Sequence, residues 1–136
     1  MTDKAEIKAY LLELLKDKAD FALLFGSWAM DEEQITLESD VDCGVFFHSN
    51  IVADNSYWNI AEYFEHNLGR KLDIVCLNTA DIIISAQIVV TGEVLFSQSK
   101  EQLDGWRAQV MSRYFDFKQS RKIIEENILV RPNHGS

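Results

Sequence analysis

Residues 23–47 read LLFGSWAMDEEQITLESDVDCGVFF. The apolar run 21–25 stops at Gly26, as a buried strand does when it enters a turn. Gly26-Ser27-Trp28-Ala29 then suits the opening of a short helix, and the acid-rich stretch 31–39 suits a loop. Residues 40–47 alternate polar with apolar and are rich in Val and Phe, so a second strand is expected there. On that strand Asp40 and Asp42 leave one face, roughly 6–7 Å apart at their Cα atoms. Val41 and Cys43 turn to the other, apolar side.

Working outward, helical and strand-like periods alternate without repeats. Residues 3–18 set Ile7, Tyr10, Leu11, Leu14 and Leu15 at helical spacing between Lys and Glu. Trp58, Ile60, Ala61, Phe64 and Leu68 form a helical stripe within 56–68, and Gly69 ends it. Residues 72–77 (LDIVCL) read as a third strand and 92–96 as a short fourth strand at an edge. Between them Thr79 is expected to cap a helix over 80–90, with Ile82, Ile83, Ala86 and Val90 facing inward. From Ser99, with Gln102 completing a capping-box pattern, a helix runs to about Leu129, with Gly105 as a point of bending or breakage. The expected class is α/β, a small mixed sheet of about four strands with helices packed on it.

With 136 residues the chain suits one domain. Acids outnumber bases 22 to 13, for a formal charge of −9. That excess argues against a protein that grips nucleic acid directly or adheres to anionic lipid. It is also uneven. Residues 1–99 carry 17 acids against 6 Lys/Arg, and residues 100–136 carry 7 Lys/Arg against 5 acids. Residues 1–18 are charged throughout rather than signal-like. No uncharged run approaches the ~20 residues that span a bilayer. Cys43 and Cys76 make no metal-type pair and no disulfide framework, so a cytoplasmic setting is expected, with both thiols filling core space. His48, His66 and His134 have no ligand spacing.

The chemistry gathers at three acids and a glycine turn. Two carboxylates on one strand face repel unless a cation compensates them. Oxygen ligands without sulfur or imidazole suit Mg²⁺ or Mn²⁺. Asp73 is a third acid inside an apolar run, where an unpaired charge is costly. If the strands over 40–47 and 72–77 are neighbours, all three acids converge. Gly26 lets backbone approach an anion closely, the N–H groups that follow are free to donate, and Ser27 adds a hydroxyl.

Gly26-Ser27, twelve residues, then Asp40-Val41-Asp42, with Asp73 in LGRKLDIVCLN, resembles the minimal nucleotidyltransferases of the DNA-polymerase-β-like superfamily. Its small single-domain members are commonly antitoxins of HEPN–MNT toxin–antitoxin pairs. The resemblance spans nearly the whole chain and includes LNTADIIISAQIVVTGEVLF. The spacer is longer than the family's usual one, and Met30-Asp31 stands where the family usually carries Arg-Gly. The resemblance implies that Asp40 and Asp42 bind two Mg²⁺ ions, with Asp73 binding one of them and helping to activate an acceptor hydroxyl. It implies that Gly26, Ser27 and Ser39 hold ATP. The acceptor would be a tyrosine of a cognate HEPN RNase toxin, neutralised by AMP within a hetero-oligomer. Two alternatives are an antitoxin that acts by binding alone and nucleotidyl transfer to a small-molecule hydroxyl.

The division expected is a nucleotidyltransferase core over 1–98, a C-terminal helical segment over 99–130 and a tail over 131–136. Trp106, Val110, Tyr114, Phe117, Ile124 and Leu129 exceed what one sheet edge needs. The segment is therefore expected to pack on the core and to dock a partner.

Overall fold

The recurrence of Ile7, Leu11 and Leu15 every fourth residue predicts a helix with one buried face, and α1 (Lys4–Leu15) buries all three completely. The structure is a computed structural model and describes residues 4–29, 40–48 and 57–130. β1 (Ala19–Phe25) is buried along almost its whole length, which is why it reads as continuous apolar sequence. A 3-10 turn, Gly26–Ala29, follows it. Next come β2 (Val41–Phe47), α2 (Tyr57–Leu68), β3 (Leu72–Cys76), α3 (Ile82–Thr91), β4 (Glu93–Ser97) and α4 (Lys100–Val130). The stretch 31–39, expected as a loop, lies outside the described residues.

The sheet order is β3-β2-β1-β4. β1 pairs antiparallel with both β2 and β4, whereas β2 pairs parallel with β3. Parallel neighbours need a long crossover, and α2 lies within the connection from β2 to β3. Strand alternation then divides the core into two layers. Ala22, Leu24, Val41, Cys43 and Val45 meet Ile7 and Leu11 of α1 and Phe64 of α2. Phe21, Leu23 and Phe25 face the other way, against Ala86 and Ile88 of α3 and Trp106 and Val110 of α4.

Three local expectations are corrected. Asp81, not Thr79, caps α3: its Oδ1 accepts from the Ile84 N–H at 2.9 Å. Ala86 does face inward, but Ile83 and Val90 are 52% and 70% exposed. The face of α3 on the sheet is instead Ser85, Ala86 and Ile88. This helix is apolar nearly all round, so its sequence did not single out the face in contact. Gly105 does not interrupt α4, since Leu103 and Trp106 on either side of it are buried and hold the helix to the sheet. No helix among the described residues is long and apolar enough to cross a membrane.

Candidate active site

Phe25, the last residue of β1, stands opposite Asp42, and Asp42 stands beside Asp73 in the parallel pair β2–β3. In-register residues of neighbouring strands share a sheet face and lie about 4.8 Å apart. Asp42 and Asp73 are therefore side by side. Asp40, two residues before Asp42, is exposed at the entry to β2. The Val41 N–H donates to the Lys71 carbonyl at 2.9 Å, which carries the ladder one residue past Leu72 and ties the start of β2 to the segment leading into β3. The condition that the sequence left open, adjacency of the two acid-bearing strands, is thus met.

Gly26 supplies the opposite wall. Its φ of +67° is left-handed, and a Cβ built there would lie 2.6 Å from Asp42 Oδ2. Only glycine lets the turn pass this close to the carboxylate. Ser27 is half-buried next to it, and the fully buried Trp28 roots the turn in the layer beneath α1 and α2. On the same sheet face as Asp42, Gly44 leaves room for Leu77 and Ile88, which would lie 3.1 and 3.2 Å from a Cβ. One side of the acid patch is therefore closed by apolar packing. Ser39 lies outside the described residues, as do Met30 and Asp31.

Burial, then the charges of Asp73 and Asp40, hold the Asp42 carboxyl above the usual carboxylate range, and Lys71 opposes them. Both neighbouring acids thus bear on the Asp42 carboxyl. Among the described residues no group of three or more acid, His or Cys side chains is arranged to hold a metal ion. The donor set is nevertheless all oxygen and short of positive charge, which fits a hard divalent cation. Lys71, to which spacing assigned no role, places Nζ 3.7 Å from Asp73 Oδ1. Its signal in the sequence was isolation: residues 19–99 contain no Lys or Arg except Arg70 and Lys71.

The cysteines lie away from the acids, in the other layer of the core. Cys43 is completely buried in the opposite layer, where burial pushes its thiol up to about 12. Cys76 packs half-buried against the same layer. The His48 Nδ1 contacts Asp20 Oδ1 at 2.6 Å, His66 is exposed, and His134 is outside the described residues.

A family model described as polymerase beta, nucleotidyltransferase matches residues 6–101, a span that holds Gly26 and all three acids. The chain belongs to this family. The nucleotidyltransferase is 38% identical over 81 residues to MJ1379 of Methanocaldococcus jannaschii, which is named as a protein adenylyltransferase. That match covers 55% of this chain and 79% of MJ1379. Two solved structures share the fold. One is a chain of a toxin–antitoxin complex with AMP-PNP, with a TM-score of 0.73 and 22% identity over 90% of this chain and 98% of that one. The other comes from a tri-AMPylated Shewanella oneidensis HEPN toxin in complex with MNT antitoxin, with a TM-score of 0.70 and 21% identity over 93% and 99%.

Proposed function

We propose that this nucleotidyltransferase transfers AMP from ATP to a tyrosine hydroxyl of a cognate HEPN RNase toxin and thereby neutralises it. The observation that carries the reading is the in-register pair Asp42–Asp73, with Asp40 two residues away and the Gly26 turn against Asp42. The name of MJ1379 supports adenylyl transfer to protein. AMP-PNP in one fold neighbour and the tri-AMPylated toxin beside another support the donor and the acceptor.

Asp40, Asp42 and Asp73 are the groups that would hold Mg²⁺. This ion binds through one or two carboxylates plus substrate phosphates and water rather than in an all-protein cage, which suits acids that do not enclose an ion alone. Two such ions, when bound, polarise the α-phosphate and stabilise the entering and leaving oxygens. Gly26, Ser27 and Ser39 hold the triphosphate. Asp73 takes the proton of the acceptor hydroxyl as its oxygen bonds to the α-phosphorus and the bond to the pyrophosphate oxygen breaks. Free Cys43 and Cys76 suit a reducing, cytoplasmic setting.

The outer half of α4 is the proposed toxin-docking element. It exposes Phe115, Ile123 and Ile124 without cover, and both fold neighbours are drawn from complexes with a toxin. The deciding experiment incubates the protein and its toxin with labelled ATP and Mg²⁺. Label should pass to the toxin and vanish when Asp40→Asn and Asp42→Asn are combined, with loss of protection in cells. An unlabelled toxin in an intact complex rejects the transfer. Full protection by the double variant would mean an antitoxin that acts by binding alone.

A further inference from the structure

The acid patch is asked to receive a nucleotide triphosphate, itself strongly anionic, in a region almost without cations. β1, the Gly26–Ala29 turn, β2 and α2 contain no Lys or Arg, and neither do β3, α3 or β4. Lys4 and Lys8 of α1 are both engaged with Glu93, each at 2.9 Å. Arg70 lies over the ring of Trp28, 5.3 Å from its centroid. Lys71 differs from these in two respects. Its backbone is fixed, because its carbonyl accepts from the Val41 N–H between Asp40 and Asp42. Its side chain is loose: the ammonium meets Asp73 only at 3.7 Å and remains 60% exposed. Exposed ion pairs of that length contribute little, and lysine is a flexible point charge.

Building on the nucleotidyl-transfer reading, we propose that Lys71 is the phosphate-binding cation of this site. In the empty site its ammonium rests on Asp73. With a divalent ion on the carboxylates, the ammonium would be repelled and the side chain would swing to the non-transferred phosphates of the nucleotide, β and γ. Lys71 thus acts as a stand-in cation for the metal before loading and as a nucleotide ligand after it. No bond is made or broken by this residue, whose role is to hold and then release the pyrophosphate group.

The two states give opposite signs for one substitution. Lys71→Ala removes a cation that competes with metal, so Mn²⁺ binding without nucleotide, followed by titration, should tighten by about threefold at low salt. The same variant loses a charged hydrogen bond to phosphate, so its affinity for AMP-PNP should fall on the order of tenfold. Lys71→Arg keeps the charge and should restore nucleotide affinity to within roughly threefold of the original. A residue with a merely structural role would shift the melting temperature and leave both affinities unchanged, and that result overturns the proposal. Weaker Mn²⁺ binding by Lys71→Ala overturns it too. If Lys71→Ala binds AMP-PNP as the original chain does, the inference fails while the transfer reading stands. If the original chain does not bind AMP-PNP even with Mn²⁺, the transfer reading falls and takes the inference with it.

Discussion

Gly26 joins two requirements that a larger side chain violates together: a φ of +67° and a virtual Cβ 2.6 Å from Asp42 Oδ2. Gly26→Ala is expected to cost about 1–2 kcal/mol in chemical denaturation. It should also displace the Asp42 carboxylate, so nucleotide binding measured by calorimetry should fall further than the stability change explains. Asp42 itself carries a cost in stability. Its carboxyl is held above the usual range, so the folded state binds a proton more tightly than the unfolded chain does. The folded state therefore loses stability as pH rises from below the unfolded value through the raised folded one, and the cost is complete above that. Asp42→Asn removes the cost. It should melt at a higher temperature than the original at pH 7 without metal, and the advantage should fade as pH falls below the carboxylate range. An equal or lower melting temperature at pH 7 would show that Asp42 is not under strain. At this scale the sequence was informative about Asp40 and Asp42, because strand period alone places both on one face. Lys71 was not singled out, although Asp73 lies only two positions on, because a long, exposed ion pair leaves no mark in the sequence pattern.

Among the elements, α4 divides into two halves. Leu103, Trp106 and Val110 are buried against the sheet, and Trp106 lies 5.2 Å from the ring of Phe21. From Phe115 to Asn127 the helix is exposed, with Phe115, Ile123 and Ile124 at 61%, 57% and 59%. Combining Phe115→Asp with Ile124→Asp should leave the melting temperature close to the original, since neither side chain holds the core. The same pair should weaken binding of the proposed toxin partner by about 2 kcal/mol or more if it lies at the centre of the interface. A titration showing unchanged affinity would move the docking surface elsewhere. The neighbouring helix α3 shows why the sequence could not orient every element. Its run IIISAQIVVT is apolar on several sides, so periodicity favoured Ile83 and Val90 as inward residues when packing had selected Ser85, Ala86 and Ile88. Its start was also misplaced, because Thr79 and Asp81 are both good caps and only the fold shows which of them meets the Ile84 N–H.

For the molecule as a whole, composition and local period determined a good deal: a mixed α/β chain, an acidic first part, an edge position for the last strand, and a glycine turn followed by paired acids. These are properties of neighbours in sequence, and a few residues are enough to express them. The tertiary structure decided what depends on distance between segments. Pairing β2 with β3 in parallel set Asp42 beside Asp73, although 31 positions separate them in the chain. The antiparallel pairing of β1 with β2 brought Phe25, and so Gly26, against the same carboxylate. Which strands become neighbours is settled by burying apolar faces on both sides of the sheet at once, a condition on the whole core that no local pattern contains. Asp42 and Asp73 were legible in the sequence one by one, and only the folded sheet set them side by side.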